Sequence, residues 1–302
     1  MTDDRAALRG LLASGAPLTW VCTGDSITHG LIHTRGARNY VDHLHELIRG
    51  DLGRIQDTVI NTAITGWRAD LILDDFERRV TRWQPDVVTL LIGTNDCTTQ
   101  WLDPVIEVPA FAQSITEFVR RVRALGAVPV LQTPPPADLA HAPDRARLGE
   151  FAQAVRDVAA RDDAVLIDQH AAFSAFSAGT GPGNEGVPWG LLDDAFHPSA
   201  AGHALLALNL AEGLGLGLAE DSGLAEGPGP AARLDPDADS GLDEGLSPHA
   251  PRTPDRGLAT APRLAAGPGL GAGDEADVPD SRVLTDLRAR VAVARHPLWP
   301  PA

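Results

Sequence analysis

A serine stands between glycines in Gly24-Asp25-Ser26-Ile27-Thr28-His29-Gly30, directly after the apolar run Leu18–Thr23, where a strand-to-loop turn would expose its hydroxyl. Far along the chain comes Asp193-Asp194-Ala195-Phe196-His197-Pro198-Ser199, with Asp194 and His197 spaced so that a turn brings the carboxylate to the imidazole Nδ1. Serine, histidine and aspartate are the residue types of nucleophilic acyl chemistry. A hydroxyl is a poor nucleophile near neutral pH, and a neutral imidazole, with its pKa near about 6.5, can take its proton as it attacks a carbonyl. Taken alone, a Gly/Ser/Asp cluster is ordinary turn chemistry. It is also not the G-x-S-x-G elbow, because Thr28 stands where the second glycine would be.

Two more blocks carry residues of interest, Asn61-Thr62-Ala63-Ile64-Thr65-Gly66 and Gly93-Thr94-Asn95-Asp96, and each follows an apolar run. The runs are Leu18–Thr23, Asp57–Asn61, Asp86–Ile92, Ala127–Gln132 and Ala164–Asp168. Continuous β-branched runs bounded by turn residues suit strands buried on both faces. Segments of helical period separate them, at about Asn39–Arg49, Ala69–Trp83, Phe111–Leu125 and Arg145–Arg161, and a last one spans Ser199–Glu212. Connections of that length are too long for hairpins. The expected fold is therefore α/β, a parallel sheet with helices on both faces in a three-layer α/β/α sandwich. In such sheets ligands bind beyond the carboxyl ends of the strands, and that is where the first three blocks fall. Three irregular segments, Gln100–Pro109, Thr133–Asp144 and Ser177–Trp189, are as readily pocket rims as plain surface loops.

The four blocks, in this order, resemble those of the SGNH hydrolase superfamily, the GDSL-type esterases and lipases, over about Leu18 to Glu212. The resemblance implies a flavodoxin-like five-stranded sheet and a Ser-His-Asp triad working through an acyl-enzyme. By position, Ser26 resembles the nucleophile, His197 the general base and Asp194 its carboxylate partner. The resemblance makes the Ser26 and Gly66 backbone N–H groups and the Asn95 side-chain amide the oxyanion-hole donors. It implies hydrolysis of a carboxylic ester with a small or medium acyl group, with no cofactor and no metal. A thioesterase, an acyltransferase using the same triad and a catalytically silent binding module stay open as alternatives. Each residue also has a structural reading: Gly66 as a turn residue, Asn95 as a helix cap, Asp194 with His197 as a loop brace. Asp25 reads as a brace for the nucleophile loop. Trp67, Arg68 and His29 adjoin the blocks and are either substrate contacts or exposed loop residues.

His29, His33, His43 and His45 crowd one stretch, but no cysteine or HExxH pattern accompanies them, so no metal site is expected there. Cys22 and Cys97 lie in or just after apolar runs and read as buried free thiols. The 41 acidic and 25 basic side chains give a net charge of −16, which disfavours nucleic acid and anionic membrane surfaces as partners and leaves a small-molecule ester. All the basic residues are arginine, which with the abundant Ala, Gly and Pro points to a GC-rich bacterial genome. Neither a signal-peptide core nor a membrane-spanning run is visible, so the expectation is a cytoplasmic protein. Of the 30 glycines and 24 prolines, 12 of each fall after residue 213. Such composition cannot bury enough surface to offset the entropy of ordering. The expected organisation is a catalytic domain at 1–213 and a Gly/Pro/Ala-rich acidic, disordered tail at 214–302, with a short amphipathic helix at 281–295.

Overall fold

A computed structural model describes residues 3–100, 104–178, 190–216 and 282–294. In chain order its elements are α1 (Asp4–Ala13), β1 (Thr19–Gly24), α2 (Ser26–His29), α3 (Tyr40–Glu46), β2 (Thr58–Asn61), α4 (Ala69–Asp74), α5 (Phe76–Arg79), β3 (Val87–Leu91), α6 (Val108–Ala124), β4 (Val128–Gln132), α7 (Leu148–Asp162), β5 (Val165–Ile167), α8 (Gln169–Ala178), α9 (Ala200–Leu214) and α10 (Arg282–Ala294). The five strands form one parallel sheet in the order β2-β1-β3-β4-β5, the flavodoxin-like arrangement. Register places Trp20 beside Val87 and Gly24 beside Leu91, so β1 and β3 end together.

Alternation along the strands divides the core in two. Trp20, Cys22, Val87, Leu91 and Val130 pack with α1, α3, α8, α9 and α10. Val21, Val88, Leu90 and Leu131 pack with α4, α5, α6 and α7 on the opposite face. The thiols of Cys22 and Cys97 are buried and free. Caps set the helices that matter to the site. The Asn39 side chain accepts from Val41 and Asp42 N–H while Asp42 accepts from Asn39 N–H, a capping box at the start of α3. Ser199 accepts from Gly202 N–H to start α9.

One expected helix needs correction, and two further helices appear. The helix expected over Ala69–Trp83 is broken into α4, α5 and a 3₁₀ turn at Thr81–Trp83. Asp74 and Asp75 put two carboxylates at the C-terminal end of α4, where the helix dipole disfavours them, and the Asp75 carboxylate instead takes Arg79 Nε at 2.9 Å. Helices α1 and α8 were not foreseen. The first buries little beyond Leu8 and Asp4, and the second, after Gln169 and His170, is built of Ala, Ser and two phenylalanines with no charged face to mark its period. The C-terminal helix α10 runs over Arg282–Ala294 and buries Leu284, Leu287 and Val291 in the same cluster as Leu210 and Leu214 of α9, at the i, i+3, i+7 spacing of one helix face. The rest of the segment read as a tail, 217–281 and 295–302, lies outside the described residues, as does most of Ser177–Trp189 and part of Gln100–Pro109. No helix among the described residues is long and apolar enough to cross a membrane.

Because Leu287 is 1% exposed, Leu287→Ala is expected to lower stability to urea by about 2–4 kcal/mol. Ending the chain at residue 281 should lower the urea midpoint as well. An unchanged midpoint in the truncated chain would mean that α10 adds nothing to the core.

Candidate active site

The turn after β1 is built by close contact. Gly24 has φ +154, and a Cβ there would lie 2.2 Å from the Leu91 carbonyl oxygen and 2.6 Å from Thr28 Oγ1, so the position admits glycine alone. Asp25 then caps α2, its Oδ1 accepting Ile27 N–H at 2.9 Å, and Gly30 closes the helix in the left-handed region with its N–H on Ser26 C=O. Ser26 is held as the first residue of this single turn, 4% exposed.

The residues that meet it come from the far end of the chain. His197 Nε2 lies 2.8 Å from Ser26 Oγ, and His197 Nδ1 lies 2.7 Å from Asp194 Oδ2. The other Asp194 oxygen, Oδ1, accepts the backbone N–H groups of Phe196 and His197 at 2.9 and 2.8 Å. A short antiparallel bridge, Leu192 to Pro198, pinches the loop that carries both residues. Ser199 Oγ donates to Gly190 C=O at 2.8 Å just before α9. Burial works against ionising Asp194, yet the imidazole and the two N–H donors hold its carboxyl well below the usual carboxylate range.

The other two blocks are tied to the same turn. Asn61 Nδ2 donates to Thr28 C=O at 2.7 Å, and Thr65 N–H donates to His29 Nδ1 at 3.3 Å, next to Gly66 with its φ of +80. Left-handed backbone at Gly66 explains the residue type without any crowding, because a Cβ there would meet nothing within 4 Å. Asn95 Nδ2 donates to Trp67 C=O at 3.0 Å, so one of its two amide hydrogens is fixed and links the second block to the third. Of the neighbours weighed as substrate contacts, His29 braces Thr65, Trp67 packs under the Arg79 guanidinium and Arg68 pairs with Asp70.

Sequence reasoning set His33 aside, and the structure brings it in. Its ring lies on that of His197, centroids 3.5 Å apart and 7° from parallel. His33, Asp194 and His197 are the one group of metal-type donors among the described residues, their atoms within 4.8 Å of one another, and two of the three already hydrogen-bond to each other. The signal that could have found it is the loop Leu31–Arg38 following the serine turn; nothing in its spacing to residue 197 was readable. By contrast His43 is buried on α3, and burial with Arg290 and Arg38 nearby pushes its proton affinity down to about 4.

Behind the serine sit two buried carboxyls. Asp25 Oδ2 and Asp96 Oδ2 have no hydrogen-bond partner among the described residues. Burial pushes Asp25 up to about 6, against the Ile27 N–H and the charges of His197 and Arg145. Burial also pushes Asp96 up to about 7, its Oδ1 accepting Ala69 N–H at the start of α4 while the Asp25 and Asp70 carboxylates add to the rise.

Residues 22–205 match the GDSL-like lipase/acylhydrolase family. An acetylxylan esterase from Geobacillus stearothermophilus is 25% identical over 210 residues, 65% of this chain and 92% of that one. A crystal structure of an acetylxylan esterase from the same organism superposes with a TM-score of 0.57 at 24% identity, covering 67% of this chain and 95% of that one. The lipase/acylhydrolase from Enterococcus faecalis gives a TM-score of 0.53 at 26% identity, covering 65% of this chain and 94% of that one. An uncharacterised protein of Mycoplasma pneumoniae is 30% identical over 118 residues, which are 39% of this chain and 13% of that protein.

The raised Asp96 carboxyl has a consequence for stability. In the unfolded chain it ionises near about 3.9, so the fold holds the proton more tightly between there and about 7, and stability falls as pH rises through that window. Asp96→Asn keeps the acceptor for Ala69 N–H and cannot ionise. Its stability relative to wild type should therefore improve by about 2 kcal/mol on going from pH 5 to pH 8. Urea melts at the two pH values check this, and a pH-independent difference would refute it.

Proposed function

The chain belongs to the GDSL-like lipase/acylhydrolase family, and from that premise we propose that it is a serine esterase cleaving carboxylic esters through Ser26, His197 and Asp194. The observation that carries this reading is the unbroken hydrogen-bonded path from Ser26 Oγ through the His197 ring to Asp194 Oδ2. His197 Nε2 accepts the serine proton as Oγ attacks the ester carbonyl. Asp194 keeps the proton on Nδ1, which leaves Nε2 free to accept, and stabilises the imidazolium that forms. Its own low proton affinity keeps it anionic throughout. The imidazolium gives its proton to the departing alcohol, and His197 then activates the water that hydrolyses the acyl-enzyme.

Negative charge gathers on the carbonyl oxygen in both steps. The N–H groups of Ser26 and Gly66 and the free amide hydrogen of Asn95 are the donors proposed to meet it. Each such donor is worth about 3–4 kcal/mol of transition-state stabilisation. The anchoring of Asn95 on Trp67 C=O and of Thr65 on His29 supports this role, because a donor fixed in advance needs no reorganisation during the reaction. The acyl group is small or medium. Similarity over nearly the whole length of an acetylxylan esterase makes acetylated sugars the first natural substrates to try.

The deciding experiment is turnover of p-nitrophenyl esters, from acetate to long chains, alongside an acetylated xylo-oligosaccharide. Wild type should favour the short acyl groups. Ser26→Ala should lose about 10³-fold or more, and Asp194→Asn about 10⁴-fold in kcat with little change in KM. Hydrolysis that survives Ser26→Ala would sink the mechanism, and products carrying an added alcohol in place of free acid would favour acyl transfer.

A further inference from the structure

We propose that His33 is a positioning residue for the general base, its neutral imidazole stacked on His197 to hold that ring and to stabilise the imidazolium formed during turnover. The inference rests on the esterase reading above. It begins from geometry: two rings 3.5 Å apart and 7° from parallel are in full face contact. His33 Nδ1 lies 3.4 Å from Asp194 Oδ2, the same oxygen that meets His197 Nδ1, and 3.9 Å from Asp193 Oδ2. Phe196 also packs on His197, with centroids 4.4 Å apart, and the Arg145 guanidinium covers Phe196 at 3.6 Å. The base therefore has His33 stacked face to face on it and Phe196 against it at a 41° tilt.

The loop that delivers His33 is built to keep it there. Ile32 and Arg35 flank it with φ of +42 and +49, left-handed backbone that is costly for a β-branched residue. Arg35 N–H closes a turn on Ile32 C=O at 2.9 Å, and the Arg35 side chain pairs with Asp193, next to Asp194. So the loop closes on itself around His33 and is clamped to the segment carrying the base by the Arg35–Asp193 pair on one side of it.

Charge decides what the stacked ring can do. The groups facing His33 are His197, Asp194 and Asp193, the last shared with Arg35, while buried His203 lies behind them. Burial and the charge of His197 lower the proton affinity of His33, and the two aspartates pull the other way. A neutral ring offers its face to a cation, which is favourable by the cation–π effect. A charged one would set two cations 3.5 Å apart.

The test uses His33→Ala, His33→Phe and His33→Lys in the full chain. His33→Ala should lower kcat about three- to tenfold with KM within about twofold. His33→Phe, which keeps an aromatic face, should restore most of the loss, and its thermal midpoint shows whether the loop still folds. His33→Lys, charged at every working pH, should fall below His33→Ala. Independently of turnover, NMR titration should show His33 taking its proton at higher pH in His197→Ala than in wild type, because the opposing charge is gone. Wild-type kcat and pH profile in His33→Ala, or a His33 titration indifferent to His197, would overturn the proposal. If wild type hydrolyses no ester, the esterase reading fails instead, and the titration still decides whether the two rings are coupled.

Discussion

A hydrogen bond of 2.8 Å joins Ser26 and His197 across 171 positions of sequence, and most of the structure can be read as what is needed to hold it. One end is fixed by β1, whose last residue touches β3 so closely that only glycine fits. The other end is fixed by a pinched loop and a capped helix, α9, on one face of the same sheet. Parallel strands make this possible. Their carboxyl ends all open on one edge, so residues distant in sequence converge there without any long excursion of the chain.

Between the two ends runs a buried polar path. Thr28 Oγ1 lies 2.9 Å from Tyr40 OH, which accepts from Gln132 Nε2; Gln169 Nε2 donates to Gln132 Oε1 and to Leu206 C=O of α9, and Asn209 donates back to Gln169 Oε1. Tyr40 N–H also donates to the Nδ1 of His203, a histidine held neutral by burial and pushed down to about 3. Hydrogen bonds inside a protein add little net stability but penalise any other arrangement, because a displaced partner is left buried and unsatisfied. The path thus specifies how α2 and α9 sit relative to one another, and with them the serine and the histidine.

The inner strands were legible because burial on both faces writes continuous apolar runs; β2, at the sheet edge with Thr58 and Asn61 exposed, was legible from the shorter run it makes, and all five runs became strands within a residue or two. Ser26, His197 and Asp194 were legible by type and by place, each beside the end of an element, and the structure brings them within hydrogen-bond reach. Less was readable where tertiary contact decides. Nothing in the local pattern of α8 announces that Phe173 and Phe176 will bury in the cluster shared with α9. His33 failed for a plainer reason. Its partner is far along the chain, and ring stacking leaves no spacing rule in the sequence.

The docking of α10 carries an implication for how this chain can vary. The entropy of closing a connection grows only slowly with its length, by about 0.6 kcal/mol for each doubling. Burying a single leucine such as Leu284 contributes more, about 1.5–3 kcal/mol. The docking of α10 on α9 therefore depends more on the side chains it buries than on how many residues lie between the two helices. Substitutions at 284, 287 and 291 would loosen that contact directly, so three side chains on one helix face govern whether the end of the chain joins the core.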